Sequence, residues 1–140
     1  MDFGVSPFLP PKLTLRVGET GHRPNRLTGV NTEGLERSIN LDLICLKEET
    51  QSVQSEADES GSEAYYAPGV EPDLRFLTAL AAGSDTFSAS VASKAGYKLN
   101  YVLPAPRTQY VEWQGFSPEE KADFDRLWNA KNGVGARMEL

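Results

Sequence analysis

The feature that most constrains the fold of this sequence is its alternation between strand-like and helix-like segments. Three segments alternate apolar and polar residues, as strands do, and three repeat apolar residues every third or fourth position, as helices do. In chain order the segments are residues 13–18, about 33 to 51, 74–80, 85–95, 97–104 and 117 to about 131. This order predicts an α/β fold in which parallel strands are joined by right-handed crossovers.

The first and last helices carry recognisable start signals. Thr32 is the predicted N-cap of the first helix, with acidic residues following it near the positive end of the helix dipole. Ser117, Pro118 and Glu120 form a predicted capping box for the last helix. The apolar stripe of the first helix, expected to face the core, consists of Leu35, Ile39, Leu43 and Leu46.

Three further side chains are predicted to have structural roles. Cys45 stands among leucines on the first helix and is interpreted as an inert core thiol. Trp113 and Trp128 are interpreted as packing residues. Gly96 follows the second helix and suits the position just after a helix end.

The domain organisation predicted from composition is a single domain with irregular ends. Residues 1–12 contain three prolines and form a predicted irregular arm, and residues 13–132 form the domain. Residues 52–72 are rich in Ser and Glu and broken by Gly and Pro, which predicts a flexible insertion. Its charges indicate a solvated loop, with a docking site for a partner as the alternative, and residues 133–140 form a predicted frayed tail.

Composition excludes several classes of function. The net charge of −6 argues against general nucleic-acid binding, although a local basic pocket for a small anion remains compatible with it. One cysteine and one histidine are too few for a disulfide framework or a His/Cys metal site, so neither a metal nor a cofactor is predicted. The sequence has no apolar run of about 20 residues and no signal-peptide pattern at its start, which predicts an intracellular, cytoplasmic protein without a membrane span.

The loop after the first predicted strand contains residues suited to binding an anion. Gly18 and Gly21 allow a sharp turn and a close approach to a ligand, and Thr20 adds a hydroxyl group. Arg23 offers a guanidinium fork for phosphate or carboxylate, and His22 can donate a hydrogen bond or take up a proton. The alternative is structural, with the glycines making a tight turn and the histidine holding the loop.

The second strand is also followed by residues that suit a ligand. The second helix opens with Gly83, Ser84 and Asp85. A side chain at this point can cap the helix, and the free N–H groups of the first turn can bind an anion. Asp85 is either a plain helix cap or an acceptor for a ribose hydroxyl or for Arg23. Because the carboxyl ends of parallel strands lie along one edge of a sheet, this loop and the first are expected to meet there.

The exit from the third strand is stiffened by proline. Pro104 and Pro106 precede Arg107, a candidate second phosphate clamp, and Tyr110, a candidate for stacking on a base. Arg107 and Tyr110 could equally be ordinary surface side chains. This loop is expected at the same edge as the other two.

Two stretches together resemble the SLOG superfamily, named for its DNA-processing (SMF/DprA) and Lonely Guy members. They are "RVGETGHRPNRL" and "LRFLTALAAGSDTFSASVASKAGYKLNYVLPAPRTQY", and the likeness is closest to bacterial SLOG domains. The resemblance covers about half the chain, from Leu13 to Leu27 and from Leu74 to Tyr110. It implies a Rossmann-like, three-layer α/β/α domain that binds a nucleotide or a nucleotide-derived ligand. The positions that match the three family motifs are Gly18, Thr20, Gly21, His22, Arg23, Gly83, Asp85, Pro104, Pro106, Arg107 and Tyr110, with Ser84 where the family often has Ala and Glu19 at a variable position.

One departure from the family bears on activity. Lonely-Guy-type phosphoribohydrolases share a Pro-Gly-Gly-x-Gly-Thr-x-x-Glu motif. This sequence does not contain it. The sequence resembles the N-terminal part of such a domain, so an incomplete sheet is expected, with an edge covered by a second copy or by a downstream domain. We therefore expect a non-catalytic sensor of a nucleotide-type ligand. The alternatives are a nucleotide N-glycosidic hydrolase using Asp85, and a fragment of a longer protein without activity of its own.

Overall fold

The computed structural model describes residues 9–21 and 28–140 of the chain. The expected arm, residues 1–8 of it, and the motif residues His22 and Arg23 lie outside the described residues. The strands and helices are β1 (Thr14–Gly18), α1 (Thr32–Ser60), β2 (Asp73–Thr78), α2 (Ser84–Lys94), β3 (Lys98–Leu103), α3 (Arg107–Gln114), α4 (Pro118–Trp128) and β4 (Val134–Glu139), with a 3-10 turn at Gly61–Glu63.

The predicted α/β class is confirmed, and the sheet has four parallel strands in the order β1-β2-β3-β4. Val17 pairs with Phe76, and Phe76 pairs in turn with Leu99, so these three side chains share one face of the sheet. Each crossover moves one strand further in the same direction. Right-handed crossovers of this kind place successive helices on one side of the sheet.

The hydrophobic core lies between the helices and that one face. Leu99, Tyr101 and Leu103 of β3 are at most 2% exposed and pack with residues of all four helices. Tyr97 and Tyr101 donate their hydroxyl groups to carbonyl oxygens of α1 and α4, over 2.6 and 2.7 Å. The hydroxyl is the only polar group of a tyrosine side chain, so these bonds leave no polar side-chain atom of either residue unsatisfied in the core.

The opposite face of the sheet is not joined to this core. Arg75 lies across it, donating to Asp73 on its own strand and to Asn100 on β3. A side chain on Gly135 of β4 would overlap the Arg75 guanidinium, which shows how flat the arginine lies. Among the described residues only one face carries helices, so the Rossmann-like α/β/α sandwich is incomplete, as expected.

The fourth strand corrects the expectation of a frayed tail at residues 133–140. Gly133, at φ +76°, turns the chain into β4, which pairs with β3 from Leu99 onward. Arg137 donates to the carbonyl oxygens of Trp128 and Ala130 at the end of α4. The arginine therefore satisfies carbonyl groups that the helix end leaves without partners.

The first helix also corrects an expectation, because it continues to Ser60 instead of ending near residue 51. The first part of the predicted flexible insertion is therefore helical. Gln54 is 2% exposed and donates to the carbonyl of Ala67, and Asp58 accepts from the amide of Gly69. These bonds fasten the following loop to the helix. The N-cap is Asn31, one residue before the predicted Thr32, and its side chain accepts from Gly34.

Three side chains expected in the core, Cys45, Leu46 and Trp113, are on the surface, and Leu46 is 40% exposed. Cys45 is exposed, because the helix side that packs inward at this point carries Leu43, and a residue two positions on faces elsewhere. Trp113 is 64% exposed, whereas Trp128 is buried as predicted. The capping box at Ser117 is present in full. Within the described ranges, each helix is too short or too polar to cross a membrane.

Candidate functional site

The carboxyl end of β1 approaches the start of α2 very closely. The strand ends at Gly18, and three residues later Gly21 lies against Ser84, the first residue of the helix. A Cβ atom on Gly21 would overlap the Ser84 hydroxyl and lie 2.6 Å from its Cβ. The second glycine of the Gly-x-x-Gly motif is thus required by a contact between elements and not only by a turn.

The turn from β2 into α2 is the other half of this site. Its N-cap residue is Gly83, at φ +99°, which has no side chain to accept a bond from the first helical turn. Asp85 accepts from the amide of Ala81 over 3.3 Å, which closes the turn. Leu80, fully buried, has φ +52°, a conformation that costs a non-glycine residue about 1–2 kcal/mol. The turn is therefore held in place with backbone strain at Leu80.

Glu19 directly follows β1 and lies beside the start of α2. Its carboxyl is partly buried, and Ser88 and Asp85 of α2 are near enough to influence its pKa. Its Oε1 is buried and has no hydrogen-bond partner among the residues that the structure describes. Burial raises the pKa of Glu19 to about 7; the Ser88 hydrogen bond opposes this effect, and the nearby Asp85 carboxylate adds to it. Near neutral pH this carboxyl is therefore close to half-protonated.

Sequence reasoning missed Glu19, which it placed at a variable position of the motif. The signal was present, since an acidic residue directly follows a strand that ends in glycine. What the sequence could not supply is the distance from this residue to α2, more than 60 residues further along the chain.

The carboxyl end of β3 is occupied by contacts within the protein. The amide of Arg107 donates to the Glu139 carboxylate over 2.7 Å, and the guanidinium lies 5.8 Å from the centre of the Trp128 ring. Tyr110, 3% exposed, packs against Phe124 with ring centres 6.4 Å apart. Pro104 is exposed and Pro106 is the N-cap of α3. The Tyr110 ring is thus in the core, where it has no open face for a base.

The structure therefore brings together part of the predicted site. Two of the three strand ends meet, those of β1 and β2, and the residues assembled there are Gly18, Glu19, Thr20, Gly21, Gly83, Ser84, Asp85 and Ser88. In a parallel sheet the end of β3 lies on the same edge, roughly 10 Å from β1 at about 4.8 Å per strand. Whether His22 and Arg23 join the site stays a prediction, because both lie outside the described residues.

A groove of about 600 Å³ runs between α2 and α4, away from the Glu19 carboxyl. It shares Gly83 with the site, and Phe87, Val91 and Leu127 are among its apolar lining residues. The charged residues along it are largely paired with each other, Lys94 with Glu36 and Arg126 with Asp123. In the described part of the chain, His, Cys, Asp and Glu side chains form no group of three that could hold a metal ion.

Comparisons with known proteins leave the family open. A scan against family models, a search of curated proteins and a search of solved structures each gave no match. The resemblance to SLOG domains therefore remains a hypothesis based on the three motifs.

Proposed function

We propose that this chain binds a nucleotide or a nucleotide-derived ligand at the carboxyl ends of β1 and β2 and acts as a non-catalytic sensor module. The observation that carries the proposal is the contact between Gly21 and Ser84, which joins two glycine-containing loops at one edge of a parallel sheet. That edge is where α/β sheets bind ligands. The sensor role rests on the family resemblance.

The start of α2 supports the phosphate part of the proposal. The N–H groups of a helix's first turn have no partners within the helix, and together with the helix dipole they attract anions. Gly83, as N-cap, has no side chain to cover them. Arg23 is proposed to add a guanidinium fork to the same phosphate.

The carboxyl groups at this edge support the nucleoside part. Two ionised carboxylates would repel a phosphate, but a Glu19 that is close to half-protonated near neutral pH removes part of that charge. The Asp85 carboxylate can accept hydrogen bonds from ribose hydroxyl groups, in addition to its bond from Ala81. We propose that the site holds phosphate at the helix start and sugar at the carboxylates.

The first experiment is a thermal-shift screen with nucleoside mono-, di- and triphosphates and cyclic nucleotides, followed by calorimetric titration of the best ligand. A ligand that binds the folded state raises the unfolding temperature. Arg23→Ala is expected to weaken binding about 10- to 100-fold with little loss of stability, as loss of a charge-assisted hydrogen bond does.

The matched control is Arg16→Ala, because Arg16 is an exposed arginine on β1 that lies before the site. It makes the same change in net charge and should leave the affinity unchanged. Equal loss of affinity in both variants would indicate non-specific attraction and contradict the proposed site. A screen in which no nucleotide shifts the unfolding temperature would contradict the proposed function.

A second candidate function, hydrolysis of a nucleotide N-glycosidic bond, is favoured by the proximity of the Glu19 and Asp85 carboxyls. A carboxyl with a raised pKa, here that of Glu19, suits the role of general acid, and a second carboxyl beside it can serve as base or nucleophile. Incubation with nucleoside monophosphates, with detection of the released base, tests this candidate. Turnover that is lost in both Asp85→Asn and Glu19→Gln would replace the sensor proposal with an enzyme.

A further inference from the structure

Strand β4 stands last in the order of the sheet, so its outer edge has no neighbouring strand in the part of the chain that the structure describes. Its residues from Gly135 to Glu139 are exposed. Proline and lysine, which commonly block pairing along a sheet edge, do not occur in this strand. The edge can therefore accept a strand from another chain.

The bonds between β4 and β3 determine which backbone groups of β4 face outward. In a parallel pair, every second residue of a strand bonds to its neighbour, and the residues between direct their N–H and C=O groups to the other side. The amide of Leu140 donates to the carbonyl of Leu103 over 3.0 Å, so Leu140 and, two positions before it, Met138 bond to β3. The amides and carbonyls of Arg137 and Glu139 therefore point away from the sheet.

These outward-facing residues carry opposite charges, which selects how two copies of the edge can align. Antiparallel pairing places either like residues opposite each other or Arg137 of each copy opposite Glu139 of the other. Like charges directly opposite in a sheet are destabilising, whereas opposite charges are favourable. The edge is thus complementary to itself in the second alignment, which has its two-fold axis at Met138.

The two charged side chains are already held in position within the chain. Arg137 donates to the carbonyls of Trp128 and Ala130 at the end of α4. The Oε1 atom of Glu139 accepts from the amide of Arg107, so its Oε2 atom can accept from an arginine of a second copy. Because the side chains are ordered before association, pairing them across an interface costs less conformational entropy.

We propose that this protein forms a symmetric dimer in which β4 pairs antiparallel with β4 of a second copy. Arg137 of each copy exchanges both backbone hydrogen bonds with Glu139 of the other, and the two Met138 side chains meet at the two-fold axis. Met138 and Leu140 are 53% and 70% exposed in the single chain, and this pairing covers part of both. The proposal does not depend on the ligand, since α2 starts after β2 and not at this edge.

The first test is a cross-link at the two-fold axis. Residues opposite each other in a non-hydrogen-bonded pair have Cα atoms about 4.5 Å apart, within the range for a disulfide. Met138→Cys, in a Cys45→Ser background that removes the exposed native thiol, should link two copies under mild oxidation. The matched control is Leu140→Cys, also exposed, whose Cα atoms in the two copies would lie about 14 Å apart.

Cross-linking of dilute protein, measured on non-reducing gels, should be at least about tenfold faster for Met138→Cys than for Leu140→Cys, because the control distance exceeds disulfide reach. Equal rates for the two variants would overturn the alignment. This comparison also decides the matter if the charge variants described next fail to fold.

Charge reversal tests the same alignment in solution. Arg137→Glu and Glu139→Arg each place like charges opposite each other, so each variant alone should be monomeric where the wild type is a dimer by analytical ultracentrifugation. An equimolar mixture of the two variants should form dimers, because an edge with two acids then meets an edge with two arginines. Association in the mixture also shows that β4 is still formed in both variants.

Three results would overturn the proposal. One is a wild-type chain that stays monomeric up to about 1 mM, where even weak dimers form. The others are a dimer that survives in both single variants, and folded variants that stay monomeric when mixed. A monomer that binds a nucleotide would refute the dimer alone, whereas a dimer that binds none would refute only the proposed function.

Discussion

Helices α2 and α3 both start at the carboxyl edge of the sheet, and they differ in what lies against their N-termini. At α3 the chain supplies its own anion, since the Glu139 carboxylate of β4 accepts from the amide of Arg107. At α2 the N-cap is Gly83, and the neighbouring Glu19 carboxyl keeps a buried oxygen without a partner among the described residues. The start of α3 is thus closed by the protein itself, whereas beside the start of α2 a buried carboxyl oxygen has no partner among the described residues.

This difference separates a structural half of the edge from the half that we propose to be functional. Around α3 the groups with recognition chemistry, an arginine and a tyrosine, are engaged with Trp128 and Phe124. Around the start of α2 the side chains of Glu19, Ser84 and Asp85 are small or acidic and partly buried, and Ser88 is buried. Strain at Leu80 and a close contact at Gly21 are maintained in this half. Backbone strain of this kind tends to cluster at functional sites.

The largest expected effect belongs to the structural half. Phe124 is fully buried and contacts the rings of Tyr110, Phe116 and Trp128. Phe124→Ala should destabilise the protein by about 3–5 kcal/mol, because it removes buried area and leaves a cavity. Chemical denaturation provides the measurement. A cost below about 1 kcal/mol would show that the α3–α4 half is not the well-packed region that the comparison requires.

The core could be predicted from the sequence because its residues follow local periodicities. Leu99, Tyr101 and Leu103 alternate along the chain and are all buried, and the capping box at Ser117 is a four-residue signal. The fourth strand could not be predicted in the same way. Residues 134–139 lie at a sheet edge, where exposure removes the alternation of apolar and polar side chains on which strand prediction depends.

The sequence predicts only those parts of the site where a glycine or a helix cap marks the end of a strand. Gly21 and Asp85 lie at the edge where the alternation of elements predicts them. The roles of Tyr110 and Glu19 depend instead on contacts between distant segments. Tyr110 follows a strand exit like a ligand residue, yet it falls in a helix that turns its ring towards Phe124. The pKa of Glu19 depends in part on residues of α2, and nothing in the sequence around Glu19 indicates that this helix lies beside it.

The second prediction sharpens the claim that Gly21 is fixed by its contact with α2. Gly21→Ala should cost about 1–3 kcal/mol, as overpacking does, because the new methyl group meets Ser84. Combining it with Ser84→Gly removes the colliding side chain. A double-mutant cycle measured by urea unfolding should then show a favourable coupling of about 1 kcal/mol or more. Additive costs would mean that the two loops do not press on each other.

The third prediction concerns the pH dependence of stability in the functional half. The pKa of Glu19 rises from an ordinary value of 4.5 in the unfolded chain to about 7 in the folded protein. The folded state therefore binds the proton more tightly, and stability should decline as the pH rises from about 4.5 to 7, then stay at the lower level. After a discount for solvent screening of this partly exposed group, the loss is about 1 kcal/mol.

Glu19→Gln should remove that decline, so the variant gains stability relative to the wild type as the pH rises. Urea unfolding at pH 5, 6, 7 and 8 measures the difference, with Glu71→Gln as the exposed control. Curves for wild type and Glu19→Gln that stay parallel over this range would place the Glu19 carboxyl in solvent, and the two halves of the edge would no longer differ in this respect.

The smallest expected effect tests whether the α3 start is closed by its own carboxylate. Glu139→Gln keeps an acceptor for the Arg107 amide but removes the charge, and it should cost about 0.5 kcal/mol, whereas Glu139→Ala also removes the acceptor and should cost about 1 kcal/mol. In the alanine variant the start of α3, like that of α2 among the described residues, has no side-chain cap. If nucleotides choose the α2 site because its helix start is uncovered, Glu139→Ala should create a second, weak phosphate site, seen as additional NMR shifts of the Arg107 and Thr108 amides on titration with inorganic phosphate. Shifts confined to the start of α2 in both wild type and variant would show that an open helix start is not sufficient, and that the loop after β1 determines where the anion binds.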